Sequence, residues 1–422
     1  MTQPPIVIIG AGVIGVMSAQ ALAARGHRVI VLDREAGPAQ LCSRANAGII
    51  AVGHAQAWAG PEAILTLMRA MAGREPGVRV TRLGDPALWR WGLAFLRNCT
   101  RARHITNTDR LARLSAFSRE TLREVARDLG LDDLLRHDGG LYLYDDAKDL
   151  AHAAGAHGAN SAQPMDALDR PALFDREGAL AQAQDRFAGA LFSVRDSVGD
   201  CHVFTHNAAQ ELAARGSVTF RYGCEVSGFD TENGHIRAVR LGDEAIEAAH
   251  VLLATGVETA DLTRPLGFAP LIYPVKGYSG TWALRDPARL PALPYIDEAA
   301  HLAVAVYGGQ LRVTAFAEFA GQDRSLPAER LAVLKDYVTR NFGAAVDLDR
   351  ATFWAGLRPT TPASAPYLGQ VRSFDNLWIN AGHGTLGWTT SAGCGALIAQ
   401  AMAGDTPELR NVSARARWLD PI

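Results

Sequence analysis

The sequence predicts an α/β protein in which a second unit, of the α+β class, is inserted into a parallel sheet. Three observations support this fold class. A glycine-rich turn joins a β-branched run to an apolar helical pattern near the N-terminus, an acid ends the next strand, and a buried run far downstream closes on Ala254-Thr255-Gly256. The downstream run is typical of a chain that returns to the same sheet.

The first predicted strand and helix flank the glycine-rich turn. Pro5 to Ile9 is a short β-branched run typical of a buried parallel strand. Val13 to Arg25 carries apolar residues at helical spacing, and Gly26 after it is a natural helix stop. The pattern therefore predicts a strand, a tight turn and a helix in direct succession.

The turn itself has the pattern G-x-G-x-x-G. Gly10 permits the tight turn, Gly12 lets the backbone approach a pyrophosphate, and Gly15 lets the helix pack closely on its strand. At Val13 and Ile14 the phosphates would meet the helix N-terminus, where unpaired N–H groups and the positive dipole end favour anions.

An acid follows the second predicted strand, Arg28 to Leu32. Asp33 can accept hydrogen bonds from both ribose hydroxyls of an adenosine, which argues against a 2′-phosphate, although Arg34 beside it weakens that argument. The G-x-G-x-x-G turn is called the fingerprint below. The order strand, fingerprint, helix, strand and acid is a specific signal. The sequence therefore predicts a Rossmann-like dinucleotide-binding domain.

Composition limits the class of protein. The 422 residues are 48% hydrophobic and 20% charged, enough for two domains. A formal net charge of −2 without long charged runs argues against nucleic acid as a partner and favours small molecules. Apolar segments are too short for a membrane span, and the N-terminal run lacks the basic region of a signal peptide. Five scattered cysteines without a C-x-x-C pair predict free thiols and no metal site, so we expect a soluble, cytoplasmic protein.

Residues 60 to 130 are mostly helical by pattern. Helices are predicted at Pro61 to Met71, Pro86 to Asn98 and Thr108 to Leu129. The stretch from Leu88 to Leu96 is apolar on most sides. Core packing is the simpler explanation and the one we favour, and a surface anchor for a membrane or a quinone is the alternative.

Further elements follow from periodicity and turn signals. The predicted strands are Gly139 to Tyr144, Val218 to Tyr222, Cys224 to Asp230, Ile236 to Leu241, Leu271 to Val275, Gly280 to Ala283, His301 to Tyr307, Leu311 to Ala317 and Leu377 to Asn380. A helix is predicted at Leu168 to Gln184. Two further helices are predicted to end at Ala214 and at about Met402. These elements divide the chain into a discontinuous nucleotide-binding domain (1–60, 196–262 and 355–422) and an inserted α+β substrate domain with a mixed or antiparallel sheet (61–195 and 263–354).

Several segments carry a family resemblance in order along nearly the whole chain. They are the fingerprint, Ser43 to Gly48, Gly199 to Cys201, Pro274 to Ser279, Gly356 to Pro359 and Gly382 to Thr389. They resemble the FAD-dependent D-amino-acid oxidase superfamily and, within it, the small subunit of bacterial D-amino acid dehydrogenases.

The resemblance implies FAD as the cofactor and a D-amino acid as the substrate. It implies hydride transfer from the substrate Cα to flavin N5, giving an imino acid that water hydrolyses to a 2-oxo acid and ammonia. It further implies that the electrons pass to a quinone of the respiratory chain.

Four side chains are candidates for the substrate site. Arg358 would clamp the substrate carboxylate, because a guanidinium grips it bidentately and stays charged. It matches the arginine with this role in related amine oxidases, and a structural arginine paired with an acid is the alternative. His383 would lie near the flavin or the substrate, or would only satisfy the backbone of a glycine-rich turn. Tyr278 and Tyr307 would form pocket walls, or belong to the core. No side-chain base is assigned, because a neutral amine supports hydride transfer directly.

The predicted cofactor-binding residues come from five parts of the chain. They are Gly10, Gly12, Val13, Ile14 and Gly15 of the fingerprint; Asp33 and Arg34; Arg44, Ala45, Asn46, Ala47, Gly48 and Ile49; Val226, Thr255 and Gly256; and Gly384, Thr385, Leu386 and Gly387. The last group would aim backbone N–H groups and a positive helix end at the flavin.

Other functions stay open at this point. One is dehydrogenation of a cyclic D-imino acid such as D-proline or hydroxy-D-proline, and another is an oxidase of glycine or sarcosine. A third is a flavin subunit of a larger complex, which requires a partner subunit. Peripheral contact with the inner membrane is a further expectation.

Overall fold

The computed structural model describes residues 4–158, 165–183 and 186–405. Within them the chain folds around two large β-sheets, and a cavity is lined by residues of both. Residues 1–3 and 406–422 of the predicted nucleotide domain, and Gln184 at the end of a predicted helix, lie outside the described residues.

The secondary structure of the described residues follows in chain order. The α-helices are α1 (Val13–Ala23), α2 (Pro61–Met71), α3 (Pro86–Asn98), α4 (Arg101–Asp128), α5 (Ala147–Gly158), α6 (Arg170–Arg176), α7 (Cys201–Ala214), α8 (Thr259–Thr263), α9 (Ala328–Phe342) and α10 (Gly387–Met402). The strands are β1 (Ile6–Ile9), β2 (Val29–Leu32), β3 (Ile49–Ile50), β4 (Val78–Val80), β5 (Leu135–Arg136), β6 (Gly140–Tyr144), β7 (Asp166–Asp169), β8 (Gly189–Ser193), β9 (Ser197–Gly199), β10 (Val218–Arg221), β11 (Gly228–Glu232), β12 (His235–Leu241), β13 (Glu244–Glu247), β14 (His250–Leu253), β15 (Tyr273–Leu284), β16 (Tyr295–Asp297), β17 (Leu302–Tyr307), β18 (Gln310–Phe319), β19 (Val346–Thr360), β20 (Tyr367–Gln370) and β21 (Leu377–Ala381).

The first sheet has the strand order β10-β2-β1-β14-β21-β20 and is parallel except for β20 at its edge. Val7 on the central strand β1 lies opposite Ile30 on one side and Val251 on the other. Alternate residues of β1 pack into different clusters: Ile6 and Ile8 pack with α1 and α10, while Val7 and Ile9 pack with the β11–β12–β13 sheet and its neighbours. The return of the chain at β14 confirms the predicted discontinuous α/β fold.

The second sheet has the order β19-β15-β18-β17-β16-β6-β8-β7, with β4 alongside β18. It is antiparallel except where β16 meets β6 and β18 meets β4. This is the mixed sheet that the sequence predicts. β15 and β19 pair along most of their length, with Val275 opposite Arg358 and Gly277 opposite Gly356, and this register brings two of the motif segments together.

Helix α10 lies between α1 and α4 because its glycines allow close approach. A Cβ at Gly395 would lie 2.7 Å from the carbonyl oxygen of Met17, and one at Gly393 would lie 2.7 Å from Cβ of Ser118. The backbone N–H of Gly393 also donates to Ser118 Oγ at 3.0 Å. The glycine and alanine content of this helix is thus explained by its position between two other helices.

Several elements differ from the predictions. Helix α4 begins at Arg101 rather than Thr108, since Thr100 caps it by accepting from the N–H of Arg103. Helix α9 is not predicted. Two predicted strands, Leu271 to Val275 and Gly280 to Ala283, form the single strand β15, and the strand predicted at Cys224 to Asp230 runs instead from Gly228 to Glu232. Local patterning thus locates elements better than their ends.

Strand β19 continues in the second sheet to Thr360, so the predicted domain boundary at residue 355 falls inside it. The division of the chain into two domains stays a prediction. Among the described residues, no helix is both long enough and apolar enough to cross a membrane.

Candidate active site

A cavity of about 950 Å³ is lined by the fingerprint turn, the loop before β3, the turn before α10 and strands of the second sheet. Because the two sheets contribute to one space, a ligand held at the fingerprint can extend toward the second sheet. A volume of this order accommodates a large organic ligand.

The fingerprint glycines occupy the places that the motif requires. Gly10 has a φ of +106°, and a Cβ there would lie 2.6 Å from the carbonyl oxygen of Ala254. A Cβ on Gly15 would overlap the carbonyl oxygen of Gly10. Gly12 differs, since its Cβ would meet only Ser43 Oγ, at 3.5 Å, and the residue lines the cavity. The missing side chain of Gly12 therefore leaves room for a ligand rather than for the protein.

The acid after β2 is held against the same turn. Asp33 accepts from the N–H of Ala11 at 2.6 Å and from the N–H of Glu35 at 2.8 Å, and it lines the cavity. Burial raises its pKa, which these backbone hydrogen bonds counteract. Arg34, the cation that could favour a 2′-phosphate, forms an ion pair with Glu258. Because its charge is already paired with an acid, Arg34 weakens the argument against a 2′-phosphate less than the sequence suggests.

Most predicted cofactor residues line the cavity. They are Gly10, Gly12, Val13, Ile14, Asp33, Arg34, Ala45, Asn46, Ala47, Ile49, Val226, Thr255, Gly256, Gly384, Thr385, Leu386 and Gly387. Gly15, Arg44 and Gly48 are not part of the lining. Arg44 is exposed, donates to Gln40 Oε1 at 2.6 Å and lies over the ring of Trp354. Gly48 has a φ of +75°, and a side chain there would overlap the ring of Tyr307.

The N-terminus of α10 lies at the cavity wall. Gly384 to Gly387 line the cavity, and Thr385 is exposed although Leu386 after it is buried. Helix α10 has 16 residues, so its unpaired N–H groups and dipole favour negative charge at this point. Thr389 Oγ1 accepts from the N–H of Ala51 at 3.1 Å and so ties the chain after β3 to the same helix.

Arg358 enters the cavity from β19. Its Nη1 donates to the carbonyl oxygen of Phe316 at 2.6 Å, and a side chain on Gly277 would overlap its guanidinium. Burial lowers its pKa, and within the described residues no carboxylate lies at ion-pair distance. The structure thus argues against the alternative of a structural arginine paired with an acid, because a charged guanidinium in this cavity lacks a carboxylate.

His383 lines the cavity but both ring nitrogens are engaged. Nδ1 lies 3.0 Å from Thr390 Oγ1, and Nε2 lies 3.0 Å from Asn380 Oδ1. An amide oxygen only accepts, so Nε2 carries the proton and donates to Asn380. Nδ1 is then the unprotonated nitrogen beside the Thr390 hydroxyl, whose single proton also has the carbonyl oxygen of Leu386 as an acceptor at 2.8 Å. Burial lowers the pKa of His383 to about 3. The ring is therefore neutral and holds the turn before α10 through side chains.

The two candidate tyrosines differ in position. Tyr278 borders the cavity but is 1% exposed, and its hydroxyl donates to Glu318 in a buried contact that, together with burial, raises the tyrosine pKa. Tyr307 is not part of the lining, and its hydroxyl donates to the carbonyl oxygen of Asn46 at 3.3 Å. Tyr307 thus supports the loop that lines the cavity instead of forming its wall.

Sequence patterning missed a polar pair in the cavity. His54 Nε2 lies 3.2 Å from Glu298 Oε1, and the imidazole stacks on Tyr142 with ring centroids 5.2 Å apart. Burial lowers the pKa of His54, but the charge of Glu298 outweighs it and the net shift is upward. The loop after β3 and the end of β16 bring the two side chains together, and no sequence motif marks either of them.

These features define a dinucleotide-binding architecture. One cavity joins a phosphate cradle to a guanidinium that no carboxylate of the described residues pairs with. A family model described as FAD dependent oxidoreductase, the DAO family, matches residues 5–401, and the chain belongs to this family.

Solved structures share the fold over nearly the full length. Glycine oxidase from Geobacillus kaustophilus is 22% identical, with 95% of each chain covered and a TM-score of 0.70. L-proline dehydrogenase from P. horikoshii is 18% identical, covering 96% of this chain and 94% of that one with a TM-score of 0.70. L-amino acid deaminase from Proteus myxofaciens is 16% identical, covering 97% and 92% with a TM-score of 0.71.

The residues present fit an FAD. The open position at Gly12 and the N-terminus of α1 would hold its diphosphate, and Asp33 would face its ribose. The N-terminus of α10 would lie beside the pyrimidine part of the flavin, where negative charge develops on reduction.

Proposed function

We propose that this protein dehydrogenates D-amino acids to imino acids, which water hydrolyses to 2-oxo acids and ammonia, and that a quinone takes up the electrons. The observation that carries the proposal is the guanidinium of Arg358, which lines the same cavity as the fingerprint and has no carboxylate partner among the described residues. A buried charge without a partner is costly, and a substrate carboxylate would supply that partner.

The side chains bind and orient the substrate. Arg358 would bind the carboxylate bidentately, because Phe316 O accepts only from Nη1 and other N–H groups of the guanidinium are left to donate. When bound, FAD supplies the acceptor for the hydride that leaves Cα. Neither His383 nor Tyr278 is free to take a proton, since their polar atoms bond to Thr390, Asn380 and Glu318. Neither of these two side chains is therefore assigned as a base, and the amine would enter hydride transfer in its neutral form.

The comparisons support the substrate class. The similar structures described above are a glycine oxidase, an L-proline dehydrogenase and an L-amino acid deaminase, all enzymes that act on amino or imino acids. The preference for the D-enantiomer and the quinone acceptor rest on the motif resemblance. A cyclic D-imino acid dehydrogenase, a glycine or sarcosine oxidase and a partner-dependent flavin subunit are the competing outcomes of the experiment below.

The test is an anaerobic flavin spectrum of the purified protein. D- and L-amino acids, glycine, sarcosine and hydroxyprolines are added singly, and air or a soluble quinone analogue is then admitted. Bleaching by D-amino acids with slow recovery in air and fast recovery with quinone is the expected result. Bleaching only by glycine or sarcosine with fast recovery in air would assign the oxidase, and bleaching only by cyclic substrates would assign the imino acid enzyme. A yellow protein that none of these compounds bleaches would contradict the proposal and would favour the partner-dependent flavin subunit.

A further inference from the structure

Helix α2 has apolar side chains on two sides. Ala63 and Leu67 on its inner side line the cavity, and Ala70 is the only residue of this helix that is fully buried. The outer side carries four large apolar side chains that are 41–63% exposed: Ile64, Leu65, Met68 and Met71. The helix thus separates the cavity from an apolar outer surface.

Helix α3 is divided in the same way. Leu88, Trp91 and Phe95 are buried, and Trp91 Nε1 donates to the carbonyl oxygen of Thr360 at 2.8 Å. Its outer side carries three large apolar side chains that are 41–58% exposed: Trp89, Leu93 and Leu96. Ala63 of α2 packs into the cluster that buries the inner side of α3, so both helices cover the same part of the core. Their seven outward side chains are called the α2–α3 face below.

The α2–α3 face is a concentrated patch. In the described chain, nine of the fourteen exposed large apolar side chains lie between residues 64 and 105. Single exposed apolar residues are ordinary on soluble proteins, whereas a contiguous group marks an interaction surface. The core packing expected for α3 is thus found on its inner side, and its outer side presents an exposed apolar surface.

The charge around the face indicates what covers it. Residues 61–105 contain eight arginines and three acids, although the whole chain has a formal net charge of −2. Arg69, Arg90 and Arg97 are exposed and form no ion pair among the described residues. Two copies of the chain joined through this face would bring arginines against arginines, whereas an anionic surface neutralises them.

We propose that the α2–α3 face docks on an anionic phospholipid bilayer. The two helices are amphipathic and cover one core cluster, with Trp, Leu and Met outward and arginines beside them. This is the composition of helices that lie in a lipid interface. Because the inner side of α2 lines the cavity, docking sets one cavity wall against the lipid. Access of a lipid-dissolved acceptor by this route rests on the proposed function, whereas docking itself does not.

The experiment is flotation of the full chain with vesicles of phosphatidylcholine alone or mixed with phosphatidylglycerol. We expect binding to the mixed vesicles that high salt weakens. Leu65→Glu with Leu93→Glu, and separately Arg90→Glu with Arg97→Glu, should each weaken binding about tenfold or more. These side chains are exposed, so the fold should tolerate the changes.

The matched control is Val333→Glu with Leu348→Glu, at positions that are 44% and 39% exposed outside the face. This control should bind like the unchanged protein. Three results would each overturn the proposal. The first is absence of binding to anionic vesicles, and the second is binding by both face variants that equals that of the unchanged protein. The third is self-association through the face, seen in light scattering, without vesicle binding. Flavin bleaching measured on the same preparations tests the proposed function separately, since it does not depend on vesicles.

Discussion

Replacing Arg358 tests the core of the proposed chemistry. Arg358→Met removes the guanidinium while keeping a long apolar stem, so the wall against Gly277 keeps much of its packing. A bidentate clamp makes two charge-assisted hydrogen bonds, and losing both should weaken substrate binding by about 3–4 kcal/mol, roughly 150- to 1,000-fold. Arg358→Lys keeps the charge without the fork and should lie between the two.

The assay is anaerobic stopped-flow bleaching of the flavin at increasing substrate concentration. The apparent Kd should rise in the order Arg, Lys, Met, while the FAD content stays unchanged. An amino alcohol, which lacks the carboxylate, should bind the unchanged enzyme weakly and gain no further penalty from Arg358→Met. Arg350→Met is the matched control, because Arg350 lies on the same strand with a side chain that is 83% exposed.

Two outcomes would refute the reasoning. The first is an amino acid Kd for Arg358→Met that equals that of the unchanged enzyme. The second is an equal loss for the amino acid and the amino alcohol, because this would show that the substitution damages the pocket generally and does not remove a carboxylate partner.

Three further experiments, with five substitutions between them, separate cofactor binding, stability and proton transfer. Gly12→Ala should weaken FAD binding about tenfold or more, since its Cβ enters the cavity, and should leave the melting temperature of the apoprotein unchanged. Gly15→Ala should lower that melting temperature, because its Cβ would overlap the backbone of Gly10. Equal effects of the two substitutions in fluorescence titration of FAD and in thermal unfolding would contradict this. Asp323→Asn should destabilise the protein by about 1–2 kcal/mol in chemical denaturation, less than for a fully buried pair because the Asp323 side chain is 36% exposed. The loss should exceed that of Lys276→Met, because it leaves a fully buried ammonium without its carboxylate. Lys276 depresses the pKa of Asp323 to about 2. The contribution of this ion pair to the free energy of unfolding is therefore present above about pH 4 and is lost as the pH falls toward 2. An acid-unfolding curve that is the same in Asp323→Asn as in the unchanged protein would exclude this contribution. His383→Gln should keep the shape of the pH profile of flavin bleaching between pH 5 and 9 while lowering stability by about 1–3 kcal/mol, and a shifted profile would show that the ring does take a proton.

The nucleotide-binding part of the fold could be predicted because short stretches of chain determine it. A β-branched run, a turn that needs the positive φ of Gly10 and a helix that needs close packing at Gly15 are all encoded within a few residues. Asp33 follows directly after a strand whose position the same pattern gives. Each of these signals survives in a single sequence because no distant residue is needed to interpret it.

The polar contacts in the cavity could not be predicted in this way. The pair of His54 and Glu298 forms only because β16 lies beside β6 and β17 in the second sheet, and that strand order leaves no local trace. The environment of His383 depends on whether nearby polar groups point inward. Asn380 and Thr390 are close in sequence, yet only the structure shows that they occupy both ring nitrogens.

The register of β15 and β19 explains why two of the resembling segments occur together. Gly277 lies opposite Gly356, and Val275 lies opposite Arg358, so the guanidinium can lie against the position where residue 277 has no side chain. A larger residue at 277 would push the guanidinium away from Phe316 O and from the cavity. The glycine in one segment and the arginine in the other therefore depend on each other: Gly277 leaves the space, and Arg358 places its charge there.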